Sequence, residues 1–141
     1  MLSPAQKTVV RRVFWLAAAY NLLWGVLAIA FPRALFRWLD IPLGQPDTMA
    51  IQFWQCIGMF VGVFAIGYAY VAIDPERYAP FALIGLLGKL FGPIGFAWGW
   101  YTGIMPGRMV WINVTNDLIW LPFFIPFVWW TMFVRPARPS T

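Results

Sequence analysis

Gly85-Leu-Leu-Gly-Lys-Leu-Phe-Gly-Pro-Ile-Gly-Phe-Ala-Trp-Gly99 decides the class of this chain. The stretch sits inside an apolar run from about Pro80 to Tyr101. At 1.5 Å of rise per residue, such a run crosses a hydrocarbon core of roughly 30 Å. One charge, Lys89, lies in its middle. A charge at the centre of a span costs roughly 2.5–3.5 kcal/mol on insertion scales, so it belongs on the interior of a bundle with a partner or a task. Gly85, Gly88, Gly92, Gly95 and Gly99 step by three and four, which puts them on one helical stripe bordered by Lys89.

Three further apolar runs flank this one, at about Val13–Phe31, Ala50–Ile73 and Met109–Val134. The last carries a second central charge, Asp117. Pro32 ends the first run. Arg33 and Arg37, four apart among Leu35, Phe36, Trp38 and Leu39, then predict a short helix in the headgroup region. Asp40–Asp47, with Pro42, Gly44 and Pro46, reads as a loop; Asp74–Tyr78 reads as a tight turn and Thr102–Arg108 as a Gly/Pro loop. Gly92-Pro93 is expected to break the third span, and Pro122 and Pro126 to kink the fourth. The tail Arg135–Thr141 is basic and proline-rich. The expected architecture is all-α: one domain over residues 1–141, a polytopic four-transmembrane-helix bundle with a short interfacial helix after the first span.

Composition supports lipid as the solvent. The chain is 62% hydrophobic and 20% aromatic but only 11% charged, against about 25% charged in soluble domains. The net charge of +5 does not form a patch. Its residues flank the apolar runs as topology anchors do, so nucleic acid is not an expected partner. There is no histidine and one cysteine, Cys56. Haem or zinc held by histidine, imidazole proton relays and a CxxC redox pair are thereby excluded. Lys7, Arg11 and Arg12 before an apolar run resemble a signal peptide, but the run is too long and has no small-residue cleavage site before Phe31-Pro32. A retained first span is expected.

Orientation follows the lysine and arginine count. One side holds Lys7, Arg11, Arg12, Arg77, Arg135 and Arg138; the other holds Arg33, Arg37 and Arg108. Both termini are expected in the cytoplasm.

Each span has one polar or small-residue face. Span four offers Asn113, Asn116, Asp117 and Trp120; span two offers Gln52, Gln55, Cys56, Met59 and Gly62; span one offers Tyr20, Asn21, Trp24 and Gly25. These faces are expected to converge. Lys89 lies roughly 15 Å into span three and Asp117 roughly 12 Å into span four, counted from opposite ends, so both reach the midplane and an ion pair is expected. That pair fixes helix register, or it forms a polar site for a ligand headgroup or a proton with Asn113, Asn116, Gln55 and Asn21. Gly58, Gly62 and the five glycines of span three serve helix packing, or line a groove for an apolar ligand. Asn113-Val-Thr115 matches a glycosylation sequon by chance, since it lies inside a span. No catalytic set and no metal-ligand cluster is present in the sequence.

Asn21-Leu-Leu-Trp-Gly25 and Phe31-Pro-Arg-Ala-Leu-Phe36 resemble the DoxX-like membrane proteins, bacterial four-helix bundles, and Gly85–Pro93 and Asn116-Asp-Leu-Ile-Trp-Leu-Pro-Phe123 resemble small bacterial membrane proteins near that group. Some members of that group are associated with quinone-linked oxidoreductase complexes. The resemblance implies a membrane-complex subunit of a bacterial inner membrane and supplies no catalytic residue. The resulting expectation is an accessory or ligand-binding subunit for quinone or another isoprenoid lipid, in contact with the bilayer and with a homo-oligomeric or complex partner. A small-solute or proton transporter acting as an oligomer, and a purely structural subunit, are the alternatives.

Overall fold

The computed structural model describes residues 2–42 and 48–134. Most of the expected loop at 40–47, and the tail Arg135–Thr141 with its orientation-setting arginines, lie outside the described residues. Every regular element among the described residues is helical. In chain order these are α1 (Pro4–Ala30), α2 (Pro32–Trp38), α3 (Thr48–Ile73), α4 (Ala79–Tyr101), α5 (Val110–Asn116) and α6 (Leu121–Trp129). A 3-10 turn, Gly107–Met109, leads into α5; another, Leu118–Trp120, separates α5 from α6; and a π-helical turn, Trp130–Val134, ends the series. Helices α1, α3 and α4, and the composite Gly107–Val134, are each long and apolar enough to cross a membrane. The chain is an all-α, multi-pass membrane protein built as a four-helix bundle.

Helix α1 starts at Pro4, well before Val13. Ser3 Oγ accepts the Gln6 N–H at 3.2 Å and Gln6 Oε1 accepts the Ser3 N–H at 3.0 Å, a reciprocal cap with Pro4 at the first helical position. The most extensive interface joins α1 to α3. It is made by backbones: a Cβ on Gly25 would lie 2.7 Å from the Gly58 carbonyl oxygen and 3.2 Å from the Gly62 nitrogen, and a Cβ on Gly58 would lie 2.9 Å from the Ala28 Cβ. Only hydrogen fits at both places, the small-residue packing that substitutes for hydrophobic drive inside lipid.

The end of the bundle that holds the N-terminus and the Asp74–Tyr78 turn is sealed by rings. Phe14 meets Phe124 with centroids 4.5 Å apart, Phe127 at 5.4 Å and Tyr68 at 6.0 Å, while Tyr68 meets Phe124 at 5.2 Å. All four are buried. Two polar ties close this end: Arg11 Nε donates to the Ala72 carbonyl at 3.0 Å, and the Leu2 N–H donates to Glu76 Oε1 at 3.1 Å. The first satisfies a carbonyl at the C-terminus of α3, where helices leave acceptors unpaired.

At the opposite end α2 buries Phe36, with Leu39 just beyond it, and exposes Arg33, Arg37 and Trp38. That is the amphipathic division an interfacial helix needs. Asp40 then turns the chain in a left-handed conformation, φ 56°. Its carboxylate meets Arg108 Nε at 3.0 Å, and Arg108 Nη1 donates to the Trp38 carbonyl at 3.4 Å. Arg108 thus straps α2 to the start of the fourth span.

The prolines act differently from expectation. Helix α4 runs unbroken through Gly92-Pro93; the chain breaks instead in the fourth span, at Asp117.

Candidate functional site

The break at Asp117 begins with Pro122. Proline has no N–H for the carbonyl four residues back, and its ring crowds that carbonyl. The carbonyl belongs to Leu118, which accepts the Leu121 N–H in a tighter 3-10 turn instead. Trp120 N–H likewise bonds Asp117 O at 3.1 Å, so it no longer serves Asn116 O as a regular helix would require. Two freed carbonyls then find side-chain donors. Trp120 Nε1 donates to Thr115 O at 3.0 Å, and Lys89 Nζ, reaching across from α4, donates to Asn116 O. The break is therefore closed by named partners, as an interrupted membrane helix demands. Pro93 frees a single carbonyl, that of Lys89, which α4 tolerates without breaking.

Lys89 is 2% exposed. Its ammonium lies 5.5 Å from the Tyr68 ring centroid, 5.8 Å from that of Trp120 and 5.7 Å from that of Phe124. Three ring faces and a carbonyl at the negative end of the α5 dipole hold the cation. Asp117, 6% exposed, is held separately. Its Oδ1 accepts Asn116 Nδ2 at 2.8 Å, and its Oδ2 lies 2.8 Å from where a Cβ on Gly92 would stand. Lys89 and Asp117 do not form the expected ion pair; among the described residues the pair that forms is Arg108 with Asp40. The physical reason is the break itself, which offers the ammonium a freed carbonyl and turns the carboxylate toward Gly92.

Both charges border a cavity of about 260 Å³ lined by Asn21, Tyr68, Gly85, Gly88 and Asn116 among others. A second chamber of about 330 Å³ runs toward the other end, lined by Trp24, Trp54, Gly95, Met109 and Asn113. Ile57, Val61, Gly92, Asn116 and Asp117 line both. Among the described residues, three buried side-chain polar atoms lack a hydrogen-bond partner: Asn21 Oδ1, Trp54 Nε1 and Asn116 Oδ1. All three belong to residues that line these chambers. Orphaned buried polar groups are rare and costly, so their gathering at one place marks it.

The polar faces of spans one, three and four meet here. Asn21, Lys89, Asn116 and Asp117 line the first chamber; Asn113 lines the second and spends its amide on the Met109 carbonyl at 3.0 Å. Span two contributes a different face from the one expected. Gln55 bonds the Ile29 carbonyl at 2.9 Å, while Cys56 and Met59 point outward, and Ile57, Val61, Phe64 and Tyr68 face the cavity. The glycines divide as well. Gly58 packs on α1; Gly85 and Gly88 receive the Tyr68 and Phe64 rings; Gly92 receives Asp117; Gly99 receives Met105. Added Cβ atoms on Gly62 and Gly95 would meet nothing within 4 Å.

Sequence reasoning passed over Tyr68, Phe124 and Trp54. For Tyr68 a signal existed: Ile57, Val61, Phe64 and Tyr68 recur at four, three and four residues, a second helical stripe hidden beside the polar one. Among the described residues no three His, Cys, Asp or Glu side chains come together to hold a metal. A comparison with protein-family models, with curated proteins and with solved structures finds no match for the chain.

Proposed function

We propose that this integral membrane protein is an accessory or ligand-binding subunit of a bacterial inner-membrane complex, with both termini cytoplasmic, and that it holds the polar head of a quinone or another isoprenoid lipid. One observation carries the reading: the unpartnered buried atoms of Asn21, Trp54 and Asn116 gather, with Lys89 and Asp117, around two connected chambers at the bundle's centre. Gathered around the chambers, these atoms are hydrogen-bonding capacity that a head group can use, since each left unpaired costs about 1–3 kcal/mol. In this reading Lys89, Asp117, Asn116 and Asn21 face the head, Asn113 borders it, and the glycine side of α4 takes the apolar body. The DoxX-like layout is the reason for naming quinone among the candidates.

Native mass spectrometry of the protein in gentle detergent, wild type beside Lys89→Met/Asp117→Leu, tests the proposal. A lipid or quinone that co-purifies with the wild type and is lost from the folded double variant supports it. Absence of any ligand from both, or its equal retention in both, refutes it.

A further inference from the structure

The mouth of the chambers lies between α3 and α4. Gly92 and Gly95 are exposed on α4, and Ile57 and Phe60 are exposed on α3. The two helices are held together at the turn end, where a Cβ on Gly67 would touch the Phe81 ring at 3.6 Å. Further along, Gly95 is the open position on α4, where an added Cβ would meet nothing within 4 Å. This seam falls in the middle of two membrane-crossing helices, so what reaches it travels in the bilayer.

The interior limits what the mouth admits. Lys89 and Asp117 balance in formal charge inside one cavity. An anionic head would leave a net buried negative charge, which costs several kcal/mol in so dry a place. The unpartnered atoms set the rest. In the first chamber the unpartnered atoms are two amide oxygens, Asn21 Oδ1 and Asn116 Oδ1, which lack a donor; Trp54 Nε1 lies in the second. A neutral hydroxyl supplies that donor. The volumes, about 260 and 330 Å³, sit at the small end of ligand cavities, which suits one chain rather than two.

Building on the ligand-binding reading above, we infer that the chambers are filled laterally from the bilayer, through the α3–α4 seam at Gly92 and Gly95, by an uncharged single-chain lipid whose head is a hydroxyl.

The test uses full-length protein in phosphatidylcholine vesicles and two photoreactive probes, a diazirine-bearing long-chain alcohol and the corresponding long-chain phosphate. Labelled peptides are mapped by mass spectrometry. The alcohol is expected to label 57–64 and 88–96. Labelling is expected to fall about tenfold in Asn21→Leu, the loss of one hydrogen bond to a buried group. It is expected to fall as far in Gly95→Phe, which fills the open space at the mouth. Asn21→Leu also removes an amide bonded to the buried Tyr68 hydroxyl, so Gly95→Phe, which leaves that pair intact, is the second variant that keeps the test independent of a folding defect. Equal or stronger labelling of these peptides by the phosphate overturns the neutral head and leaves the ligand-binding reading standing. Alcohol labelling that ignores both substitutions overturns the lateral route. If, in addition, native mass spectrometry finds no ligand in the wild type, the ligand-binding reading falls with it.

Discussion

Lys89→Met separates two roles that a buried lysine can play. Methionine keeps the length and apolar stem of the side chain but removes the ammonium. Two costs follow. Asp117, 6% exposed, loses the one opposite charge lining its cavity; since the two do not form an ion pair, the expected cost lies below the loss of about 3–5 kcal/mol for a broken buried pair. Asn116 O loses its donor at the break in the fourth span. That second cost is smaller. Interhelical hydrogen bonds in membranes average about 0.6 kcal/mol because the unfolded reference also finds partners, and the largest reach about 1.7. In Lys89→Met/Asp117→Asn the charge cost disappears, since asparagine keeps the shape and the acceptor for Asn116 Nδ2. The carbonyl cost stays. The double variant is therefore expected to recover most but not all of the loss, remaining about 0.6–1.7 kcal/mol below wild type. Reversible unfolding in mixed detergent and dodecyl sulfate micelles measures both steps. A simple ion pair predicts full recovery, because removing both charges leaves nothing unpaired. Full recovery refutes the role of Lys89 as the donor that closes the break, and an unaffected single variant refutes both roles.

Other substitutions probe the remaining joints by the same unfolding assay. Gly25→Ala drives a methyl to 2.7 Å from the Gly58 carbonyl oxygen and is expected to cost about 1–3 kcal/mol as overpacking. Gly62→Ala and Gly95→Ala meet nothing within 4 Å and are expected to be neutral or slightly stabilising. Trp120→Phe keeps a ring over Lys89 but strips the donor from Thr115 O, an expected loss of about 1 kcal/mol. Arg108→Gln breaks an exposed pair with side chains 62% and 59% accessible; at most about 1 kcal/mol is expected, shrinking as salt is added.

Periodicity and length made four spans and an amphipathic α2 legible, because lipid leaves a chain few alternatives to helices. The three-and-four spacing of Asn113, Asn116 and Asp117 placed them on one face, and the structure brings that face to the two chambers. What the spacing concealed was the break, because helical periodicity assumes a helix. Proline alone does not reveal it: α4 stays helical through Pro93, whereas ahead of Pro122 the chain breaks at Asp117. The ion pair failed for the same reason, since a carbonyl set free by a break cannot be counted from composition. Span two was read by its polar residues, yet its apolar stripe with Tyr68 faces the cavity. Polar side chains near a helix end can spend themselves locally, as Gln55 does on Ile29.

The layer of Phe14, Tyr68, Phe124 and Phe127 makes the chambers blind. Among the described residues, whatever settles beside Lys89 meets four interlocked rings on one side. For the lateral entry inferred above, the layer implies that an occupant returns to the bilayer it left, and that flux across the bundle requires the four rings to part.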